Sequence, residues 1–206
     1  MPGPPAELHG RPRQPGPPRT RPPRPAELDE ERLALHSLIA NGPRRAQARV
    51  PLVDDQGRLL GPFGPILFSP RIGTAVQQVG AALRFDSDLP PRLRELAILT
   101  VAAHEGSEFE WTAHEDAARD AGVSTEQLQS LLDGAVPDSL DAAELCAVRV
   151  TRALLTDRVL GDDLYQEALA VLGQGALAAL VWLVGYYSML ALALATFRPA
   201  IGDALD

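Results

Sequence analysis

Apolar positions recur at helical spacing along most of this chain. From Ala26 onward, Leu28, Leu35, Leu38 and Ile39 stand three, four and seven positions apart until Asn41-Gly42-Pro43 stops the run, which predicts a first helix. Residues 50–69 mix Gly, Pro and apolar residues without a period and read as an ordered loop. Within it, Phe63, Ile66, Leu67 and Phe68 line a pocket or seal the core. Ser69-Pro70 supplies an N-cap and a first-turn proline for a helix to about Phe85, and Pro90-Pro91 opens another to about His104. Gly106 breaks the pattern, and a helix follows from Ser107 to about Ala121, closed by Gly122. Ser124 with Gln127, and Asp141 with Glu144, are spaced as capping boxes for the next two helices. Two more are expected at about 162–172 and 175–197. No segment sustains the period-2 alternation of a strand, so the fold class is all-α.

The last of these segments requires a choice. Residues 168–197 carry no charged side chain and are long enough to span a bilayer of about 30 Å. Gly173-Gln174-Gly175 splits the run, alanine dominates it, and Tyr186-Tyr187-Ser188 falls near its middle rather than at an interface. These features favour a central helix, buried on all sides by its own chain and a partner subunit, over a membrane helix. The expectation is an oligomer and no membrane.

Composition sharpens the picture at the N-terminus. Residues 1–25 hold ten prolines and five arginines against Glu7, with almost no apolar side chains to offset the entropy of ordering, so they are expected to be a disordered tail. A single helical domain is expected over 26–206. Neither a signal peptide nor a transit peptide fits the first residues, which makes the cytoplasm the expected compartment. The chain of 206 residues has a net charge of −8, concentrated in the body once the basic tail is set aside, and an acidic body repels nucleic acid. Hydrophobic residues make up 46% and aromatic residues 5%, so the core is built mostly from Ala, Leu and Val.

Candidate chemistry concentrates in HEGSEFEWTAHED, residues 104–116. At about 100° per residue, Ser107, Glu110, Trp111 and His114 share one face of their helix, while Glu108, Phe109 and Glu115 point elsewhere. That face carries a hydroxyl, a carboxylate, an indole and an imidazole. Glu95 lies in the preceding helix among Leu93, Leu96, Ile98 and Leu99, where a carboxylate needs a partner: an ion pair with Arg92, Arg94 or another Arg, or a role in the site. Glu110 and His114, four residues apart, are admissible metal ligands, but that spacing is common and the set would be oxygen-rich, so no metal is expected. His104 falls about 180° from Glu95 on the same helix, and His36 and His9 have no acidic or histidine grouping around them.

Other chemistries find no support. Ser107 has no nucleophile elbow around it, and His114 is about 10 Å further along the helix axis, so a capping role fits the serine better. The single cysteine, Cys146, reads as a core residue and rules out an internal disulfide or a Cys-x-x-Cys centre. Neither a Gly-x-Gly-x-x-Gly nor a Walker-type loop is present, and no cofactor is expected.

The stretch LPPRLRELAILTVAAHEGSEFEWTAHEDAARDAGVSTEQLQSLLDG resembles the carboxymuconolactone decarboxylase family, which includes the alkylhydroperoxidase D-like proteins. The resemblance extends over GPFGPILFSPRIG before it and LVGYYSMLALALATF after it, covering roughly residues 50–198. It implies an all-α bundle assembled as a homotrimer or homohexamer. In the peroxidase branch the motif is Glu, eleven residues, Cys, two residues, Cys, three residues, His. Glu95 and His114 match its ends, whereas Ser107 and Glu110 occupy the cysteine positions, and a hydroxyl cannot carry a disulfide cycle.

The resemblance therefore points to the decarboxylase branch, which acts by acid/base chemistry on a small unsaturated lactone acid without a cofactor. It implies His114 as general acid/base, Glu95 as its orienting or relaying partner, Glu110 as a second acid/base or polar contact, and Trp111 as a pocket wall beside Ser107 and Phe63. No arginine stands in the motif to hold a substrate carboxylate; Arg71, Arg84 and Arg92 are near in sequence. The rival expectation is a non-catalytic oligomer that binds or scaffolds.

Overall fold

The computed structural model describes residues 16–200. Among them, the helices are α1 (Glu30–Ala40), α2 (Arg44–Gln47), α3 (Phe63–Ile66), α4 (Pro70–Phe85), α5 (Pro91–Glu105), α6 (Glu108–Asp120), α7 (Thr125–Leu132), α8 (Ala142–Thr156) and α9 (Asp162–Phe197). The all-α expectation holds, with only two isolated β-bridges among these residues, Thr20 with Pro199 and Val53 with Leu59. The expected capping boxes form, with the Ser124 side chain accepting from Gln127 N–H and that of Asp141 from Glu144 N–H. The described residues form two compact units, residues 87–188 and residues 16–86 with 189–200, and α9 contributes to both.

In the first unit, α5 packs most extensively against α6 and α8. Nearly every residue from Leu93 to Ala102 is buried, so α5 is the helix enclosed on all sides. Its core partners are Trp111 and Ala118 of α6, Leu128 and Leu131 of α7 and Val148 of α8, packed on Leu96, Leu99 and Ala102. Burying an aliphatic side chain in such a cluster contributes about 1.5–3 kcal/mol.

Helix α9 is broken where its glycines predict. Gly173 has φ 79° and ψ 163°, outside helical space, and separates two helical stretches. Its most apolar 18-residue window is long and apolar enough to cross a membrane, and half of that window is buried within the chain. Leu177, Leu180, Leu183, Val184 and Tyr187 form the buried side, at spacings of three and four. Trp182 is 69% exposed and Leu192 64%, so this chain alone does not cover the helix on all sides.

The second unit is built on Leu35, Ile39, Leu52, Leu59, Phe63 and Leu67. Gly73 lets α4 start against α3, because a Cβ there would lie 2.5 Å from the Ile66 carbonyl oxygen. Residues 16–25, expected to belong to a disordered tail, are fastened to this unit. Arg19 N–H donates to Arg198 O at 2.9 Å, Ala200 N–H donates to Thr20 O at 3.1 Å, and Pro22 is buried. Pro22 fits because it packs on the bare backbone of Gly64, where a Cβ would stand 2.5 Å from its Cγ. The remainder of the expected tail, residues 1–15 with His9, and residues 201–206 lie outside the described residues.

Candidate active site

Glu95 and His114 meet because of one glycine. Gly106 ends α5 in the left-handed region at φ 65°, and Ser107 N–H reaches back to Ala102 O at 2.9 Å. The chain reverses within two residues, and α6 runs back along α5 with its Ser107, Glu110, Trp111 and His114 face turned inward. All four are buried, at 7%, 4%, 1% and 3% exposure.

The centre of the site is a carboxylate–imidazole pair. Glu95 Oε2 lies 2.7 Å from His114 Nδ1, and both side chains are buried. An ionised carboxylate only accepts hydrogen bonds, so this contact places a hydrogen on Nδ1. The other carboxylate oxygen, Oε1, accepts from Arg94 Nε at 3.3 Å. On the far side of the ring, His114 Nε2 is 3.2 Å from the Tyr187 hydroxyl and 3.8 Å from Glu110 Oε2. Glu110 sits in the first turn of α6, where the helix dipole favours a negative charge. The two glutamates approach opposite nitrogens of one ring, and among the described residues no three His, Cys, Asp or Glu side chains form a group that could hold a metal ion.

The other expected residues have varied fates. Trp111 is taken up by the hydrophobic core, with its indole N–H donating to Glu115 Oε2 at 3.0 Å. Glu115, expected to point elsewhere, is itself buried and held by Arg119 at 2.9 Å. Ser107 stands at the N-cap of α6, but its side chain makes no capping bond, and its buried Oγ has no hydrogen-bond partner among the described residues. Phe63 belongs to the core of the second unit, under the guanidinium of Arg44 at 5.1 Å. Of the arginines considered for a substrate carboxylate, Arg92 is engaged by Glu144 at 2.5 Å and Gln127 at 3.0 Å, and Arg71 by Glu31 at 3.3 Å.

His36 and His104 stand apart from the Glu95–His114 pair. His36 Nε2 is 2.7 Å from Gly57 O, a structural contact. His104 is exposed and lines a separate cleft with Thr100, Leu131 and Arg152. Sequence reasoning missed Tyr187 altogether. Its only signal was a polar pair, Tyr186-Tyr187, inside an otherwise aliphatic helix.

Comparison with known proteins agrees with this architecture. Residues 70–153 match the sequence model of the carboxymuconolactone decarboxylase family. Over those residues the chain is similar to that family. No curated protein matches it. Solved structures share the fold. The debrominase Bmp8 in its apo form has a TM-score of 0.63 at 15% identity, over 86% of this chain and 91% of that one. A cysteine-to-alanine variant of Bmp8 in complex with 2,3,4-tribromopyrrole has a TM-score of 0.56 at 15% identity, over 68% of this chain and 78% of that one. At such identity these likenesses establish the alkylhydroperoxidase D-like all-α bundle and nothing about the ligand. The chain has no Cys-x-x-Cys pair. Its single cysteine, Cys146, is buried in α8, where burial, helped by Glu167 and opposed by Arg149, pushes the thiol above its ordinary pKa.

Proposed function

We propose that this protein is an acid/base enzyme that needs no cofactor and decarboxylates or isomerises a small unsaturated lactone or enol acid. The observation that carries this reading is the Glu95–His114 pair, closed off from solvent at 2.7 Å. A buried imidazole held by a carboxylate is fixed in orientation and can hold a proton between two steps of a reaction. Double-bond migration needs one carbon deprotonated and another protonated, and decarboxylation needs a carbon protonated as carbon dioxide leaves. His114 serves both as the proton carrier, Glu95 supports the imidazolium, and Glu110 adds a second negative charge beside Nε2. Ser107 Oγ, buried and without a hydrogen-bond partner among the described residues, is available to a polar group of the substrate. A cysteine peroxidase cycle is disfavoured, because no second thiol accompanies Cys146.

The direct assay is incorporation of deuterium from D2O into candidate lactone and enol acids, with carbon dioxide release followed in parallel. His114→Ala is expected to lower turnover by about 10²–10⁴-fold, the usual contribution of one general acid/base. Glu95→Gln keeps the shape but removes the supporting charge, and is expected to be harmful as well. Unchanged turnover in His114→Ala would remove the chemistry from this helix pair.

An oligomer is part of the same proposal. The exposed Trp182 and Leu192 on α9 are large apolar side chains suited to a subunit contact, so a homotrimer or homohexamer is expected by light scattering at micromolar concentration. A second reading, a binding protein of the same family without chemistry, is favoured by one observation: Arg94 satisfies the second oxygen of Glu95, as in a purely structural ion-pair network. In that case, His114→Ala would lower stability and leave no turnover to lose.

A further inference from the structure

Tyr187 has no role in the mechanism above, yet it holds the most consequential position beside His114. It comes from α9, 73 residues away in sequence, and is 7% exposed. Its ring meets the imidazole edge to face, with centroids 5.3 Å apart and planes at 87°, and Tyr186 backs it at 5.3 Å and 85°. The contact therefore fixes the phenol in orientation as well as distance.

The direction of the bond follows from the other side of the ring. Nδ1 carries the hydrogen shared with Glu95, so in neutral imidazole Nε2 is a lone pair and the phenol must donate to it. The nitrogen that would meet a substrate directly is thus already bonded. We propose that Tyr187 is the terminal proton-transferring group of this site, with His114 and Glu95 behind it as the proton store and its charge support. The inference rests on the acid/base reading above and reassigns which atom touches the substrate.

The proton balance is simple. In deprotonation, the phenol oxygen takes a proton from substrate carbon while its own proton passes to Nε2. The C–H electron pair stays on the substrate as an enolate, and the positive charge appears on an imidazolium held between Glu95 and Glu110, whose Oε2 is 3.8 Å from Nε2. In the return step, Nε2–H moves back to the phenol oxygen while the phenol proton goes to the new carbon, and Tyr187 and His114 are restored. In decarboxylation only the return half is used: the electron pair left by departing carbon dioxide takes the phenol proton, and the imidazolium is recharged from water.

The test has two arms. First, ¹⁵N-histidine labelling with His114→Ala for assignment reads the ring nitrogens without any substrate. In Tyr187→Phe, the Nε2 resonance is expected to move to that of an imine nitrogen relieved of its donor, while the Nδ1–H signal to Glu95 persists and shows that the site is still folded. An unmoved Nε2 resonance would overturn the proposal. Second, in the deuterium-incorporation assay with a five-membered unsaturated lactone acid, Tyr187→Phe is expected to lower kcat by about 10²-fold or more at unchanged KM. If His114→Ala is inactive while Tyr187→Phe keeps full kcat, the relay is wrong and the acid/base reading stands. If neither substitution lowers turnover, both are wrong. Replacing the tyrosines with 3-fluorotyrosine, which keeps the packing and makes the hydroxyl more acidic, is expected to shift a limb of the pH–rate profile; an unshifted profile would count against the phenol.

Discussion

The two units bury their polar groups in different ways. In residues 87–188, Glu95, Glu110, His114 and Glu115 lie buried within one pair of helices and are bonded largely side chain to side chain. In the other unit, His36 bonds the Gly57 carbonyl, Asp54 accepts from the backbone N–H of Gln56 and Arg58 as well as the Arg58 guanidinium, and Arg44 lies over the ring of Phe63. A bond between a side chain and the backbone has one place for its hydrogen. A bond between two titratable side chains has two. Only the bond between two titratable side chains can pass protons, whereas the bond to the backbone fastens loops to helices.

The largest effects on stability should come from two buried aromatics of the cores, Trp111 and Phe63. Trp111→Ala and Phe63→Ala are each expected to cost about 3–5 kcal/mol in urea unfolding. Trp111→Ala should fall at the upper end, because it also takes the indole N–H from the buried Glu115. If Phe63→Ala left stability intact and raised KM instead, Phe63 would belong to a substrate pocket, as its sequence position suggested. Deleting residues 1–25 should lower stability by about 1–3 kcal/mol, the net worth of the two backbone bonds Arg19 and Thr20 make with Arg198 and Ala200. An unchanged melting temperature would show that these contacts contribute nothing.

A smaller effect distinguishes the fastening bonds by pH. Burial alone would raise the Asp54 carboxyl, but the backbone N–H groups of Arg58 and Gln56 and the Arg58 guanidinium outweigh it and hold the pKa below its ordinary value. The stabilisation is therefore present above an unfolded carboxylate pKa of about 4 and is lost as pH falls through the lower native value. Asp54→Ala should be about 1 kcal/mol less stable than wild type at pH 6, and the gap should close in acid. A gap independent of pH would refute the ionic part of this fastening. The smallest effect is expected at Cys146. Its raised thiol pKa and burial should leave it unlabelled by iodoacetamide at neutral pH in the folded protein, with turnover unchanged. Rapid labelling with loss of activity would contradict the proton-transfer reading.

Several features were legible before any coordinates. Glycine, proline and the two capping boxes punctuate the chain, and helix limits from Pro70 to Thr156 follow them closely because caps and breakers act within a few residues. The shared face of Ser107, Glu110, Trp111 and His114 follows from helical periodicity alone, as does the exclusion of His104. Periodicity could not divide that face. Trp111 and Ser107 lie on it with His114, but one is core and the other an unbonded N-cap, because what each side chain meets depends on neighbours from α5, α7 and α8.

By itself, then, the sequence determined local geometry: which residues are helical, where each helix ends, which residues share a face, and the absence of a thiol pair. The tertiary structure alone decided that α5 is enclosed by its own chain, that residues 16–25 dock, and that the Tyr187 hydroxyl reaches His114 Nε2 across 73 positions. An apolar run has the same pattern whether it is surrounded by its own chain or half exposed within it, so only packing distinguishes α5 from α9. A contact between distant residues is set by the packing angle and register of whole helices, and a phenol in an aliphatic run carries no mark of the ring it will meet.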